Sequence, residues 1–550
     1  MDIDLKGPAS RAESQGFQPE NRYGVGGGAG GASLLLYIAA DRFQARLMTA
    51  PLSIRLHPND NVVVARVDIL PGTPVEGGIG AANLIPAGHK MLTRAVKSGE
   101  ALRKYNQIIG FATEDIAPGA HVHTHNCAMG DFERDYAYCS DVRRTDFVES
   151  AATFQGYRRA DGRAATRNYI GIVTTVNCSA ATSRIIANKV APLLDAFPNI
   201  DGVVPLTHGG GCGMAASGLE MDVLRRTLGG YARHANMAAV VMLGLGCETN
   251  QIAGLMKAEG LAEGPKLIPM AIQDEGGVAK TAARAADFIK ELLPDANDVR
   301  RLPISASELI LALQCGGSDG YSGISANPAL GVAADLLVRH GGTAVLTETP
   351  EIYGAEHLLT RRAISREVGE KVVERIKWWE AHCARTGGAM NNNPSAGNKV
   401  GGLTTILEKS LGAVAKGGTT NLVDVYHYAQ PITAKGFVYM DGPGYDPVSA
   451  TGQIAGGANV LCFTTGRGSV FGCKPTPSLK LATNSAIYRR MTDDMDLNCG
   501  TIVDGEETIE ACGRRIFDLI LRTASGEKTK SEALGIGDDE FEPWKIGATM

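Results

Sequence analysis

Long apolar runs alternate with helix-like segments along the C-terminal two thirds of the chain. The first run covers residues 169–176, and a helix-like segment follows at 180–194. Further apolar runs lie at 202–206, 238–245, 308–313, 343–346, 422–425 and 460–464. Strands that are apolar along their whole length and separated by helices form parallel sheets covered on both faces. The pattern therefore predicts an α/β body with its ligand sites at the carboxyl ends of the strands.

A different pattern fills residues 50–126. Short alternating runs such as 62–65 and 107–111 are separated by Pro-Gly and Pro-Ala-Gly turns, which is typical of a small β domain. We expect a single short helix there, near 98–104. Residues 127–155 are polar and aperiodic, which indicates a linker.

These changes of pattern divide the chain into five segments. The predicted boundaries are 1–49 for a disordered or non-native extension, 50–126 for the β domain, 127–155 for the linker, 156–300 for a central α/β domain and 301–550 for a C-terminal α/β domain. The extension contains a run of Gly and Ala at 25–32, and such composition is prone to disorder. Translation from Met48 is a hypothesis that the same contrast suggests.

Composition narrows the possible functions. The chain has 550 residues, 44% of them hydrophobic, and a formal net charge of −5, without the clustered Lys and Arg of a nucleic-acid binder. Its apolar runs are too short for a membrane span. Eleven cysteines without a disulfide framework, and no recognisable secretory signal, indicate a reducing cytoplasm. We expect a small-molecule substrate and neither a nucleic-acid nor a membrane partner.

Three glycine-rich loops each follow a predicted strand and carry a cysteine. Each places a second polar group near the thiol, in the pairs His208 with Cys212, Cys247 with Glu248, and Cys315 with Asp319. If the loops converge, mixed sulfur and oxygen ligands suit one divalent metal. Three cysteines are also one formal arrangement for an iron–sulfur cluster, although Cys-x-x-Cys spacing is absent. The alternative is three tight turns with buried thiols.

Three histidines alternate at His121, His123 and His125. On a strand, alternate residues point to one face, so three imidazoles there could chelate a metal or hold a carboxylate. The alternative is a polar strand end beside the linker.

Other charged residues follow later strands. Glu348 and Glu351 come after the run at 343–346, where carboxylates could bind a metal and transfer protons, or merely complement a helix dipole. Asn398, Lys399 and Arg467 lie on glycine-rich loops and suit a substrate carboxylate or hydroxyls, although the two cations are also ordinary for exposed loops. No dinucleotide fingerprint or Walker loop is present, so a nucleotide cofactor is not expected.

Five longer motifs together resemble one family, the altronate/galactarate dehydratases. They are Gly-Tyr-Arg-Arg-Ala-Asp-Gly-Arg-Ala-Ala-Thr-Arg-Asn at 156–168, Gly-Leu-Gly-Cys-Glu at 244–248, Cys-Gly-Gly-Ser-Asp-Gly-Tyr-Ser-Gly-Ile-Ser-Ala-Asn-Pro at 315–328, Asn-Pro-Ser-Ala-Gly-Asn-Lys at 393–399 and Phe-Thr-Thr-Gly-Arg-Gly at 463–468. The resemblance covers about residues 50–545. It implies a small N-terminal β-clip (SAF-like) domain, a central dimerisation domain, a Rossmann-like catalytic body, a homodimer, and iron(II) or manganese(II) as the metal.

The resemblance also implies a reaction, the dehydration of a sugar acid to a 2-keto-3-deoxy acid. Residues 121–126 and 348–356 resemble the altronate branch, while galactarate stays open because residues 208–212 depart from both branches. Sulfolactate sulfo-lyase activity and non-catalytic sugar-acid binding are the alternatives. On this hypothesis the site residues divide into three groups: catalytic His208, Glu348 and Lys399, with His208 as the base; substrate-binding His121, His123, His125, Asn398, Lys399 and Arg467; and metal ligands among Cys212, Cys247, Glu248, Cys315, Asp319 and Glu348.

Overall fold

The computed structural model describes residues 51–547. The extension predicted at 1–49 and the start proposed at Met48 lie outside the described residues. Residues 51–128 form two small antiparallel sheets, β1-β2-β3-β6 and β4-β5-β7. Their strands are β1 (Ser53–Ile54), β2 (Val62–Ala65), β3 (Lys90–Leu92), β4 (Ala101–Lys104), β5 (Gln107–Ala112), β6 (His121–Val122) and β7 (Cys127–Ala128). The small β domain predicted from the alternating runs is confirmed.

The helix expected near 98–104 is wrong. Those residues include β4, which pairs with β5 through a two-residue turn at Tyr105 and Asn106. Both turn residues have positive φ, 60° and 59°, as type I′ hairpin turns require. The helix-forming residues before the turn are thus held extended by pairing, because tertiary context overrides local propensity.

Residues 131–152 contain no helix or strand, but they are fastened to the body. The backbone N–H groups of Cys139, Asp141 and Val148 donate to carbonyls of the C-terminal segment. Arg134 forms a 2.8 Å ion pair with the buried Glu356.

The middle segment is built around a four-stranded parallel sheet in the order β11-β10-β12-β13, with a small sheet β14-β8-β9 beside it. The strands are β8 (Thr153–Arg158), β9 (Ala164–Ala165), β10 (Tyr169–Thr174), β11 (Gly202–Leu206), β12 (Met237–Gly244), β13 (Leu267–Ala271) and β14 (Leu302–Ser305). The helices are α1 (Ala180–Val190), α2 (Leu219–Ala232), α3 (Ile252–Ala258) and α4 (Val278–Asn297).

The C-terminal segment is a seven-stranded parallel sheet in the order β17-β18-β16-β15-β19-β20-β21. Its strands are β15 (Ile310–Cys315), β16 (Thr343–Leu346), β17 (Leu422–Tyr426), β18 (Gly436–Met440), β19 (Val460–Thr465), β20 (Ser478–Ala482) and β21 (Leu497–Asn498). Its helices are α5 (Ala326–Arg339), α6 (His357–Thr360), α7 (Arg366–Thr386), α8 (Ala396–Val400), α9 (Ile406–Val414), α10 (Asp446–Ala455), α11 (Ser485–Arg490), α12 (Ile509–Ala524) and α13 (Lys530–Ala533). The predicted α/β body with a parallel sheet is confirmed.

Strand order places the functional loops. From β15 the chain moves to β16 on one side, whereas β19 lies on the other side of β15. This reversal is a switch point, where ligands of open α/β sheets bind beyond the carboxyl ends. Between residues 51 and 547, no helix combines the length and apolarity needed to cross a membrane.

Candidate active site

A thiol and two carboxylates meet beyond the carboxyl ends of β15 and β16. The strand β15 ends at Cys315, and Glu348 and Glu351 follow its parallel neighbour β16. The Sγ atom of Cys315 lies 3.7 Å from Oε2 of Glu348 and 3.4 Å from Oε2 of Glu351. All three side chains are buried, and their ligand atoms lie within 4.8 Å of one another. Within residues 51–547, no other three His, Cys, Asp or Glu side chains meet that spacing.

Two buried lysines neutralise part of this cluster. The Nζ atom of Lys416 donates to Oε2 of Glu348 at 2.7 Å and to Sγ of Cys315 at 2.9 Å. The Nζ atom of Lys409 donates to Oε1 of Glu351 at 2.6 Å and to Oδ1 of Asn393 at 2.7 Å. Both lysines lie on or just after α9, which therefore supplies the positive side of the cluster.

The cluster carries more negative than positive groups. Burial raises the pKa of Glu348 to about 8, with Lys416 opposing the rise and Glu351 adding to it. The Asp446 carboxylate lies against Gly316, and burial followed by the charge of Glu351 raises its pKa to about 6. Burial, then Glu348, raises the pKa of Cys315 well above its usual value. Burial is the main cause of these shifts, and the repulsion between neighbouring acidic groups adds to it.

The residues present fit a divalent metal ion. Oε1 of Glu348 is buried and accepts no hydrogen bond from the described residues. A dication that displaced the proton of the Cys315 thiol would bring the total charge to zero, because the site holds three carboxylates, one thiolate and two ammonium groups. Thiolate and carboxylate ligands together suit iron(II). Glu348 also has a left-handed backbone, with φ at 73°, and such strained non-glycine residues cluster at functional sites.

The N-terminal domain docks on the same edge through a buried ion triad. Glu408 of α9 accepts from Nζ of Lys90 at 2.8 Å and from Nζ of Lys104 at 3.0 Å, and no member of the triad is more than 2% exposed. Around it, the Gly88 backbone lies so close to Gly320 and Gly402 that a Cβ atom at either would clash with its carbonyl. The docked domain thus covers the loops that surround the thiol–carboxylate cluster.

Little space remains under the docked domain. A cavity of about 10 Å³ lies between residues of the N-terminal domain and a wall that includes Cys315, Asp319 and Lys409. That volume holds about one water molecule.

Four histidine rings lie together at the edge of the contact between the N-terminal domain and the body, and we call this group the histidine rim. They are His121, His123 and His125 together with His89, which the sequence analysis did not select, and neighbouring ring centroids lie 4.9–5.5 Å apart. The expected three-histidine strand is wrong, because β6 ends at Val122. The chain turns at 123–126, and the fold gathers the rings without strand alternation.

The hydrogen bonds of the rings define their tautomers. Nε2 of His89 lies 3.1 Å from the carbonyl of Val400, and Nδ1 of His89 lies 3.0 Å from Nε2 of His121. Burial lowers the pKa of His89 to about 4, and burial followed by the charge of His89 lowers that of His121 to about 3, so both rings are neutral at neutral pH. A carbonyl can only accept, so His89 donates from Nε2 and accepts from His121. His121 therefore keeps the lone pair on Nδ1.

Two predicted substrate-binding residues lie on or against the loop that these rings contact. The carbonyl of Lys399 accepts from Nε2 of His123 at 2.8 Å, and Gly401 packs against the side chain of Arg467. Lys399 is half-buried and Arg467 exposed. The structure thus brings the backbone of Lys399 to the rings and the side chain of Arg467 to the same loop. Asn398 differs, because its side chain completes the capping box of α8 with Ser395.

Two other predicted site residues have structural partners. The Asp319 carboxylate accepts from the side chains of Ser322, Thr483 and Asn484. The Glu248 carboxylate accepts from Thr175 Oγ1 at 2.7 Å and from the Gly246 amide at 2.6 Å. Saturated carboxylates of this kind stabilise loops, and neither belongs to the thiol–carboxylate cluster.

His208 is held by the backbone. Nε2 of His208 donates to the carbonyl of Thr174 at 3.0 Å, and Nδ1 accepts from the Gly210 amide at 3.1 Å. Burial lowers the pKa of His208 to about 4. Because both nitrogens are committed, the expected role of His208 as the base is not supported, and we assign it a structural role.

The three predicted cysteine loops do not converge. Cys315 belongs to the seven-stranded sheet and is buried, whereas Cys212 and Cys247 follow strands of the four-stranded sheet and are exposed. The single metal site expected from Cys212, Cys247, Glu248, Cys315, Asp319 and Glu348 therefore reduces to Cys315 and Glu348, with Glu351 added.

Sequence reasoning missed the lysines and His89. Lys416 interrupts the apolar stretch at 411–417. A single lysine in such a stretch was a usable signal of the buried cation that the structure has there. His89 gave none, because it becomes part of the rim only when β3 pairs with β6.

The sequence matches three family models in chain order. They are the altronate/galactarate dehydratase SAF domain at residues 51–130, the second domain of D-galactarate dehydratase/altronate hydrolase at 156–297, and the C-terminal domain of D-galactarate/altronate dehydratase at 306–549. The first match identifies the small β domain as SAF-like.

Full-length relatives show the same similarity. The chain is 33% identical to altronate dehydratase of Bacillus subtilis (strain 168) over 503 residues, which cover 90% of this chain and 99% of the relative. It is 35% identical to galactarate dehydratase (L-threo-forming) of Escherichia coli (strain K12) over 495 residues, 88% of this chain and 95% of the relative. It is 32% identical to the (2R)-sulfolactate sulfo-lyase subunit beta of Chromohalobacter salexigens over 388 residues, 70% of this chain and 95% of the relative. The chain therefore belongs to the altronate/galactarate dehydratase family and is an enzyme of the hydro-lyase class.

Proposed function

We propose that this enzyme dehydrates a sugar acid, with altronate as the first candidate substrate and 2-keto-3-deoxygluconate as the product. The observation that carries the proposal is the buried set of Cys315, Glu348 and Glu351 beside a rim of histidines and cations. Altronate is placed first because residues 121–126 and 348–356 resemble the altronate branch. Overall identities of 33% and 35% do not separate altronate from galactarate.

The proposed metal is iron(II), with manganese(II) as the alternative, held by Cys315, Glu348 and Glu351. When bound, such an ion supplies Lewis-acid stabilisation of the negative charge that forms as the α-proton leaves the substrate. The ammonium groups of Lys409 and Lys416 supply positive charge in the same low-dielectric site, where electrostatic stabilisation is strongest.

The rim is proposed to hold the anionic end of the substrate. Lys399 lies on the loop that contacts the histidine rings, and Arg467 packs against Gly401 of that loop. A guanidinium can bind a carboxylate through two parallel hydrogen bonds. The incoming negative charge also raises the pKa of the neighbouring imidazoles. His121, which keeps the Nδ1 lone pair, is therefore our candidate for the base that removes the α-proton, in place of His208.

Opening of the SAF-like domain is part of the proposal. The cavity beside Cys315 holds about one water molecule, which is too small for a sugar acid. The substrate therefore enters when the domain lifts from the 320 and 402 glycine loops, and re-docking excludes water from the reaction.

A substrate panel tests the proposal. Anaerobic protein is incubated with iron(II) and reductant, then with altronate, galactarate or sulfolactate, and keto-deoxy acid and sulfite are measured. The expected result is keto-deoxy acid from altronate, and its near-complete loss in Glu348→Gln. The matched control is Glu76→Gln, which alters an exposed carboxylate of the SAF-like domain.

Other outcomes of the panel contradict the proposal. Product from galactarate alone would move the substrate to the other branch, and sulfite from sulfolactate would make the enzyme a sulfo-lyase. A ligand-dependent rise in melting temperature with no product would favour a non-catalytic sugar-acid-binding protein. The homodimer and the cytoplasmic location expected from the sequence belong to the same proposal, and light scattering tests the former.

A further inference from the structure

Three exposed cysteines lie beyond three adjacent strands of the four-stranded sheet. Of the eleven cysteines, the exposed ones are Cys178, Cys212 and Cys247, and the other eight are buried or half-buried. They follow β10, β11 and β12, which are neighbours in the order β11-β10-β12. Neither the thiol–carboxylate cluster nor the histidine rim uses them.

Strand register brings two of these thiols to the same edge of the sheet. Thr174 of β10 pairs with Leu243 of β12, and Cys178 and Cys247 each lie four residues beyond these partners. Adjacent strands are about 4.8 Å apart. Parallel strands that end in register therefore deliver both thiols to one edge.

Backbone hydrogen bonds tie the Cys212 loop to the other two. The Asn177 amide donates to the Gly210 carbonyl at 3.2 Å, and the Asn250 amide donates to the Gly211 carbonyl at 3.0 Å. The side-chain amide of Asn250 also donates to the carbonyl of Thr175 at 3.3 Å. A residue within three positions of each cysteine thus binds a neighbouring loop, which connects all three loops.

Glycine makes this close packing possible. Gly211 has φ at 95°, and a Cβ atom there would collide with the carbonyl of Thr175. Only glycine tolerates both the positive φ and the lack of space. Gly211 therefore allows the Cys212 loop to lie directly on the end of β10.

The surroundings favour a negatively charged ligand. Cys178 lies just before the N-terminus of α1, an eleven-residue helix, and helix N-termini attract negative charge. The Lys545 ammonium group lies over Gly209 of the Cys212 loop.

Thiol spacing argues against a single ion. Three thiolates on one tetrahedral ion have sulfurs about 3.8 Å apart, yet no cysteine triplet within 51–547 comes within 4.8 Å. An iron–sulfur cluster binds each thiolate through a different iron, so its cysteines lie farther apart.

We propose that Cys178, Cys212 and Cys247 hold a four-iron, four-sulfide cluster at the carboxyl edge of the four-stranded sheet. Two ferrous ions, two ferric ions and four sulfides make the core with a charge of two plus, and the three thiols release three protons as they bind. The fourth iron has no cysteine, so it stays open to an oxygen ligand such as water or a carboxylate. This site is separate from the metal proposed at Cys315.

Anaerobic reconstitution tests the cluster. The full chain is incubated with equal amounts of ferrous and ferric iron, sulfide and dithiothreitol, desalted, and analysed for iron, sulfide and visible absorption, with electron paramagnetic resonance after dithionite reduction. About one cluster per chain is expected. In Cys178→Ser, Cys212→Ser and Cys247→Ser, the cluster content should fall at least about tenfold.

Matched variants separate this site from other thiols. Cys139→Ser and Cys383→Ser alter half-buried cysteines elsewhere and should keep the full cluster, as should Cys315→Ser. Far-ultraviolet circular dichroism confirms that each variant is folded. No cluster in the wild-type chain, one iron without sulfide, or equal cluster loss in Cys383→Ser would each overturn the proposal. These readouts do not depend on dehydratase activity, so the proposed function can fail while the cluster stands.

Discussion

Replacing Glu408 with Gln should loosen the SAF-like domain from the body. Glu408 is fully buried and pairs with Lys90 at 2.8 Å and with Lys104 at 3.0 Å. Gln keeps the shape of the side chain but leaves two buried ammonium groups without a counter-charge. Removing one partner of a buried pair costs about 3–5 kcal/mol, which is a two- to four-decade loss in the docking equilibrium.

The pH dependence of this variant has a predicted sign. Burial opposes ionisation of Glu408, but Lys90 and Lys104 outweigh it and lower its pKa to about 2. Its stabilising contribution is therefore complete above the ordinary glutamate pKa and is lost as the pH falls towards 2. Burial lowers the pKa of Lys90, and removing Glu408 lowers it further. The variant should recover stability relative to wild type as the pH rises, because Lys90 can then release its proton below the ordinary lysine pKa.

Hydrogen exchange of residues 51–130 measures the docking directly, with urea unfolding as the global readout. Tryptophan fluorescence serves as an internal control, because all three tryptophans, Trp378, Trp379 and Trp544, lie in the C-terminal body. The matched variant is Glu76→Gln, which breaks an exposed ion pair with Arg55 in the same domain and should change little. Equal effects of the two substitutions would refute the inference that the buried triad holds the domain.

Three further substitutions and a change of pH test the rim and the structural residues. Arg467→Ala should raise KM for the sugar acid about tenfold or more with a smaller change in kcat, because a removed charge-assisted hydrogen bond costs about 1.5–3 kcal/mol; steady-state kinetics would refute the assignment if KM were unchanged. His121→Gln should lower kcat at least about a hundredfold, as loss of a general base does, whereas His208→Asn should lower the melting temperature and leave kcat of the folded protein near wild type; the reverse pattern would restore His208 as the base. Acidification from pH 6.5 towards 4 should destabilise the protein. Burial holds the folded-state pKa of His89 and His121 below the unfolded value, so the unfolded chain then binds more protons. In thermal melts, the melting temperature of His121→Gln should depend less steeply on pH.

The sequence predicted what depends on local pattern. Continuous apolar runs gave seven of the eleven strands of the two parallel sheets but missed β13, β18, β20 and β21. The expected strand at 343–346 coincides with β16. Strand-end position also selected Cys315 and Glu348, because parallel strands deliver their following residues to one edge. The prediction failed at the β4–β5 hairpin. Tyr105 and Asn106 turn the chain there through left-handed conformations, which the helix-forming residues beside them do not indicate.

The sequence pattern could not predict which distant segments meet. Cys212, Cys247 and Cys315 each follow a strand and lie beside glycine, but only strand order shows that the first two belong to one sheet and the third to another. Cys178 follows no glycine and was missed, although strand register brings it to the same sheet edge as Cys247. His208 suited a base by residue type, and only its two backbone hydrogen bonds argue against that role.

The most direct test of the proposed function is single-turnover formation of keto-deoxy acid from altronate by the anaerobic, iron(II)-loaded enzyme, compared with its Glu348→Gln variant. The proposed function predicts product from the wild-type chain that scales with bound iron, and almost none from the variant although it remains folded. Equal product from both proteins, or none from wild type with any acid of the panel, would contradict dehydration at the Cys315–Glu348–Glu351 site.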